Sequence, residues 1–186
     1  GFPIPLVDLR TVDGSMLDVP RDGKSAGEIV VRAPWLTMGY LNNPDASEDL
    51  WGEGYLHTGD IGVIDPTGCL QVTDRLKDVI KRGGYSVYTV EVEHALEEHP
   101  DVLEAVVVPV PDERDGEVPV AAVRLRPGAS LDSSDVAGWA AERLSTYKVP
   151  VRFLAVDELP RTGTHKVQRR EVAAWPAHMR VVAVLR

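Results

Sequence analysis

The chain carries a single cysteine, Cys69, and no apolar run approaching the length of about 18 residues that a membrane-crossing helix needs. One cysteine excludes an internal disulfide framework and a multi-cysteine zinc site, and it suits a reducing cytoplasm. The five histidines are scattered and never form an HExxH pairing, so no metal site is expected. Residues 1–10 lack the basic start and apolar centre of a secretory leader, so none is expected there. An excess of positive charge is missing too, the formal net charge being −9. Nonspecific nucleic-acid binding rests on phosphate neutralisation by Lys and Arg, so no nucleic-acid partner is expected.

What is present is the composition of a globular protein, 44% hydrophobic and 26% charged over 186 residues, enough to bury a core. The charge is uneven. Residues 75–82 hold Arg75, Lys77, Lys81 and Arg82 against Asp78 alone. Residues 161–170 hold Arg161, Lys166, Arg169 and Arg170 with no acid. Two basic patches on an acidic chain point to a local site for a small polyanion such as a nucleotide.

The first third reads as strands and turns, with strands expected at 5–12, 28–31, 60–64 and 69–73. Asn43-Pro44-Asp45 opens a short helix to about residue 50, and Asp65-Pro66-Thr67-Gly68 joins the last two strands as a hairpin. The pattern then changes. Short strands at 78–81 and 85–87 flank Gly83-Gly84. Thr89 reads as the cap of a helix with Glu91 and Glu93 in its first turn, stopped by His99-Pro100. Strands are expected at 102–110, 118–125 and 151–156. Between the last two, Asp132 reads as an N-cap, with a Leu131–Val136 staple. Val136, Trp139, Ala140 and Leu144 then share one helical face. A short helix follows at 169–174, and residues 181–184 form a strand candidate without an evident place. This order predicts an α+β fold, a small domain with helices on a mixed sheet. It follows a β-rich region too small to be a complete catalytic domain.

Three clusters could carry chemistry. In Tyr55-Leu56-His57-Thr58-Gly59-Asp60, the tripeptide Thr-Gly-Asp puts an acceptor-only carboxylate at an expected turn, able to take both hydroxyls of a ribose. Alone, it reads more readily as an ordinary Asp turn. Asp74-Arg75-Leu76-Lys77-Asp78-Val79-Ile80-Lys81-Arg82-Gly83-Gly84-Tyr85 combines cations with a Gly pair that permits close backbone approach, or equally forms a charged edge strand and turn. Leu159-Pro160-Arg161-Thr162-Gly163-Thr164-His165-Lys166-Val167 is a loop ending in one lysine, suited to a phosphate met transiently; without context it is an exposed loop lysine.

In order and spacing these clusters resemble the adenylate-forming superfamily of acyl- and aryl-CoA synthetases, peptide-synthetase adenylation domains and beetle luciferases. The resemblance runs from about Ile4 to Val172 and includes Gly27-Glu28-Ile29-Val30-Val31, Met38-Gly39-Tyr40-Leu41-Asn42, Gly116-Glu117-Val118-Pro119 and Tyr147-Lys148-Val149-Pro150. It implies a β-rich remnant (a distorted barrel) of a large N-terminal domain over 1–76, a small mobile C-terminal domain over 77–175 and a tail of unknown role over 176–186. It further implies that Asp60 and Arg75 bind ATP or AMP, that Lys77 is the hinge, and that Lys166 is the catalytic lysine of adenylation. Lys81, Gly83, Gly84 and Tyr85 would enter after a domain rotation to line the tunnel for the pantetheine arm of CoA. ATP, Mg2+ and CoA are the implied cofactors. The implied partners are a small carboxylic acid and the missing N-terminal domain of the same enzyme.

The family commonly has Gly directly before the catalytic lysine, where this chain has His165, a change expected to alter loop flexibility. The family's Ser/Thr/Gly-rich phosphate loop, its acyl pocket and its Thr-Glu motif have no counterpart among these residues, so the chain by itself is expected to be inactive. The Gly pair and the Asp-Arg-Leu-Lys-Asp run look more like acyl-CoA synthetases than like adenylation domains that load a carrier protein, which is the alternative within the class. A stand-alone, non-catalytic binding module is the alternative outside it. A fragment should expose apolar surface on its first 74 residues, and a self-sufficient module should not.

Overall fold

The computed structural model describes residues 1–129, 133–175 and 181–184, which divide into two compact units, Gly1–Lys77 and Asp78–Arg186. In chain order the elements are β1 (Asp8–Val12), β2 (Gly27–Arg32), α1 (Pro44–Glu48), β3 (Trp51–Gly52), β4 (Tyr55–Ile64) and β5 (Leu70–Arg75). A 3-10 turn, Leu76–Asp78, leads to β6 (Ile80–Arg82), β7 (Tyr85–Val87), α2 (Thr89–Glu97), β8 (Val102–Asp112) and β9 (Gly116–Leu125). Then come α3 (Ser133–Arg143), a 3-10 turn Thr146–Lys148, β10 (Arg152–Val156), α4 (Arg169–Ala173) and β11 (Val181–Val184). No described helix is long and apolar enough to cross a membrane.

The first unit is an antiparallel sheet in the order β1-β2-β4-β3, with β5 also pairing β4. Its turns are set by local acceptors. Asp65 Oδ1 accepts from the backbone N–H of Thr67 at 2.8 Å and of Cys69 at 3.0 Å, which closes the β4–β5 hairpin. Asn43 Oδ1 accepts from Ala46 N at 3.2 Å and caps α1, with Pro44 at its first position. The small core of this unit centres on Val12, Val30 and Tyr55, while Phe2, Leu6, Leu17, Met38 and Leu41 stay exposed.

The second unit is a mixed sheet in the order β11-β10-β9-β6-β7, with β8 pairing β9 and with β10 parallel to β9. Because side chains alternate along a strand, the apolar runs of β8, β9 and β10 feed two separate cores. Val107 of β8, Val123 of β9 and Phe153 of β10 pack with Val92 and Leu96 of α2 and with Val136 and Ala140 of α3. Val108, Ala122 and Leu154, one residue out of phase, pack with Val172 of α4 on the other face. Truncating a fully buried side chain such as Leu96 to Ala would cost about 2–5 kcal/mol.

Several sequence expectations change. The first strand begins at Asp8, because Leu6 takes a left-handed φ of 71° within a turn in which Val7 N donates to Ile4 O. Residues 76–78 form a 3-10 turn, so the strand expected there begins at Ile80. Thr89 is the first residue of α2 and is buried, while Tyr88, with extended angles, occupies the cap position. Of the expected helical face, Val136 and Ala140 of α3 and Leu144 just beyond it are buried, and Trp139 is half-buried. Asp132 and Leu131 of its expected cap lie outside the described residues. The strand candidate at 181–184 pairs antiparallel with β10.

Candidate active site

In the first unit, Asp60 does not open a hairpin as expected; it sits inside the ten-residue strand β4. Glu28 of β2 pairs with Ile61 and Val30 with His57, so one residue of β2 faces three of β4. Thr58, Gly59 and Asp60 therefore form a bulge, a device that re-aims side chains. Three contacts pin it. Thr58 Oγ1 donates to Ile29 O at 2.7 Å and accepts from Asp60 N at 3.1 Å. Gly59, at φ 68°, donates its N–H to Glu28 Oε1 at 3.3 Å. The other oxygen of Glu28 lies 3.0 Å from His57 Nδ1. Across the β4–β5 pairing Asp60 faces Arg75, with Oδ1 3.3 Å from Nε, and both side chains remain accessible. A carboxylate with free acceptor capacity beside a guanidinium can hold paired hydroxyls and a phosphate oxygen.

In the second unit, Lys81, Gly83, Gly84 and Tyr85 come together on the β6–β7 hairpin. Gly83 and Gly84 form its two-residue turn at φ 53° and 87°, left-handed values at both positions, which a hairpin turn of this type requires and Gly adopts freely. Apart from the adjacent residues, no heavy atom lies within 4 Å of where a Cβ would stand on either, so their surface is open to close approach. Behind the turn, Arg82 donates to Tyr147 O at 3.0 Å and Val149 O at 3.3 Å and pairs with Asp115 at 3.1 Å. Arg114 and Arg82 together hold the Asp115 carboxyl down to about 2. The Tyr85 ring stacks on Tyr147 with centroids 4.8 Å apart. Lys81 Nζ donates to Ser86 Oγ at 2.8 Å.

Lys166 is exposed on a separate loop of the same unit. The loop closes through an Arg161–Val167 bridge, with Thr162 N donating to Lys166 O at 2.8 Å and His165 N to Thr162 O at 2.9 Å. His165 holds φ 63°, the conformation that suits the family's Gly at this position. Leu159 and Val167 root the loop in the α4 face of the sheet, whereas Ile80, Val87, Tyr147 and Val149 root the Gly83-Gly84 hairpin in the α2–α3 face. The two loops thus grow from opposite faces of one sheet. Lys77 lies exposed in the 3-10 turn, at the end of the first unit.

Sequence reasoning gave no role to Glu28, which holds the Asp60 bulge, or to Glu104; it counted Arg161 and Arg169 in a basic patch and placed Glu93 in a helix first turn, whereas the structure pairs Arg161 with Glu104 and Arg169 with Glu93. Glu93 Oε1 accepts from Val107 N at 2.8 Å, and Arg169, which donates to Glu93 at 2.5 and 2.8 Å, also donates to Val107 O at 2.9 Å. This pair thereby satisfies both backbone groups of Val107 on β8 and ties the start of α4 to that strand. Among the described residues no group of three or more His, Cys, Asp or Glu could hold a metal ion.

Residues 91–166 match the family of AMP-binding enzyme C-terminal domains. The chain belongs to the adenylate-forming superfamily and corresponds to the C-terminal part of its members. It is 47% identical over 161 residues to 2-succinylbenzoate–CoA ligase of Geobacillus kaustophilus, covering 84% of this chain and 33% of the relative. It is 40% identical to oxalate–CoA ligase of Arabidopsis thaliana over 82% of this chain and 30% of that one. Among solved structures, o-succinylbenzoate CoA synthetase of Bacillus subtilis, in complex with its acyl-adenylate intermediate, superposes with a TM-score of 0.84 at 33% identity. That match covers 94% of this chain and 35% of the other. An amide bond synthetase of Marinactinospora thermotolerans superposes with a TM-score of 0.86 at 38% identity, over 94% and 36%. The chain therefore spans about a third of the length of the relatives it matches.

Proposed function

We propose that this chain is the C-terminal portion of an ATP-dependent acid–thiol ligase that makes an acyl-adenylate and then an acyl-CoA thioester in one site. The rest of the enzyme, upstream, supplies the acyl pocket and the phosphate loop. The exposed apolar side chains of the first unit, from Phe2 to Leu41, are the surface such a neighbour would cover, and they speak against a self-sufficient module.

In the first half-reaction a carboxylate oxygen of the acid attacks the α-phosphorus of ATP, and the bond to pyrophosphate breaks. Asp60 holds the ribose hydroxyls and Arg75 the nucleotide. Lys166 brings its charge to the α-phosphate and the departing pyrophosphate, which is catalysis by placed charge. The small domain then turns about Lys77. The Gly83-Gly84 hairpin replaces Lys166, and Lys81 and Tyr85 flank the pantetheine arm. The CoA sulfur attacks the acyl carbon, AMP leaves with its oxygen, and the thiol proton passes to solvent. A rotation of this kind is a hinge motion absorbed by a few residues.

The observation that carries this reading is the rooting of the two loops on opposite faces of one sheet, so that a turn of the unit exchanges one for the other. In the full-length enzyme, Lys166→Ala should abolish pyrophosphate release while thioester formation from supplied acyl-adenylate continues. Gly84→Leu should do the reverse. Equal losses of both half-reactions in either variant would refute the division of labour. The amide bond synthetase similarity gives a second reading, with an amine as acceptor. Product analysis with CoA, a phosphopantetheinyl carrier protein and an amine offered side by side decides among the three acceptors.

A further inference from the structure

The Lys166 loop is exposed from Arg161 to Lys166 and contributes no buried residue of its own over that stretch. A loop of this kind is mobile unless something holds it, and a lysine that must meet a phosphate needs a defined approach. Arg161 supplies the hold in an unusual way. One arm of its guanidinium, Nη2, makes an ion pair with Glu104 of β8. The other arm, Nη1, donates at 2.8 Å to the carbonyl of His165, which belongs to the peptide bond leading into Lys166. The backbone carbonyl of Arg161 in turn accepts from Gln168 Nε2 at 3.1 Å, on the far side of the lysine. A rigid planar fork can bridge two acceptors in fixed geometry, as a lysine ammonium cannot. Glu104 sits on a strand clamped at its outer edge by Glu93 and Arg169, so the anchor itself is firm.

We infer that Arg161 and Glu104 are positioning residues for Lys166: the pair ties the peptide before the lysine to β8 and so sets where the ammonium stands during adenylation. The inference rests on the reading of Lys166 as the adenylation lysine. It predicts a selective defect. Misplacing a catalytic group by about 1 Å costs on the order of 100-fold in rate, so Arg161→Ala in the full-length enzyme should lower acyl-adenylate formation by roughly 10- to 100-fold. Thioester formation from supplied acyl-adenylate should be unchanged, because Lys166 is absent from that step. Arg161→Lys should recover only part of the loss, since one ammonium cannot reproduce the fork. Glu104→Gln keeps the shape, loses the anchor charge and should give the same half-reaction split in milder form.

The test measures both half-reactions for Arg161→Ala, Arg161→Lys, Glu104→Gln, Lys166→Ala and the Arg161→Ala/Lys166→Ala pair. The expected result is a selective adenylation loss in the single variants and no further loss when Arg161→Ala is added to Lys166→Ala. A parallel fall in both half-reactions would make the pair a mere support of the fold and overturn the inference. If Lys166→Ala is defective in adenylation but Arg161→Ala and Glu104→Gln are normal, the inference fails while the reading of Lys166 stands. If Lys166→Ala is itself normal, both fall together. Should Arg161→Ala not fold, Glu104→Gln carries the same comparison alone.

Discussion

Arg82 and Tyr147 lie 65 residues apart in sequence, yet the guanidinium of the first donates to the backbone carbonyl of the second at 3.0 Å. Through this contact and the one to Val149, the stretch Tyr147-Lys148-Val149-Pro150 becomes the rear wall of the Gly83-Gly84 hairpin. Tyr147 continues that wall by stacking on Tyr85, and Lys148 is fixed in turn by Glu91 at 2.6 and 2.8 Å.

Arg82→Met should therefore loosen the hairpin without unseating the Lys166 loop, which is rooted on the other face. Losing hydrogen bonds from a charged donor costs about 1.5–3 kcal/mol each, so the thiol half-reaction should slow by at least about tenfold. Pyrophosphate release should stay near normal. Single-turnover rates of the two steps check this. A slowed first step with an intact second would remove Arg82 from the hairpin's support.

His165 tests the price of the departure from Gly. A side chain at φ 63° is tolerable for His and poor for a β-branched residue. His165→Val should destabilise the domain by about 1–2 kcal/mol. His165→Gly should change stability little, because relief of the backbone is offset by about 0.5–1 kcal/mol of unfolded-state entropy. Denaturant midpoints of the two variants decide it. If Val were as stable as His, the left-handed turn before Lys166 would be absent in solution.

Much of the fold was legible because it is local. The strongly apolar run of residues 102–110, broken by Glu104, announced a strand, and Val136, Ala140 and Leu144 announced the apolar face of the helix that contains α3. The Gly pair announced a hairpin turn. The bulge at Asp60 was not legible, because extra residues exist only relative to a partner strand and β2 lies some thirty positions upstream. The Arg161–Glu104 tie on the Lys166 loop and the Arg169–Glu93 clamp on β8 were hidden for the same reason, spanning 57 and 76 positions. Thr89 misled in a different way. A Thr ahead of acidic residues has the chemistry of a cap, and only the backbone, with Tyr88 extended at the cap position, shows that the helix has already begun at Thr89.

Glu28 yields a prediction about nucleotide affinity. Its carboxylate holds Gly59 N and faces His57, so it fixes the bulge that presents Asp60. Glu28→Ala should raise KM for ATP and for supplied acyl-adenylate together, by about 10-fold for the loss of one charge-assisted hydrogen bond. The maximal rates of both half-reactions should change little. A defect in kcat alone, with both KM values unmoved, would detach Glu28 from the ribose-binding role of Asp60.

Asp115 gives the acid side of the stability profile. Its carboxyl, ordinarily near 3.8, is held down to about 2 by Arg114 and Arg82. A folded-state value below the unfolded one means that the folded chain releases this proton more readily, so stability rises with pH through the interval between the two. The contribution is complete above about pH 4, declines as the pH falls towards 2 and is gone below it. Asp115→Asn removes the titration. The stability difference between the parent chain and this variant should therefore be constant from neutral pH down to about 4 and shrink steadily below. Denaturant titrations at half-unit steps from pH 6 to about 2 would measure it. A difference that persisted undiminished at the acid end would mean that Asp115 supports the hairpin through hydrogen bonding that does not depend on its carboxylate charge.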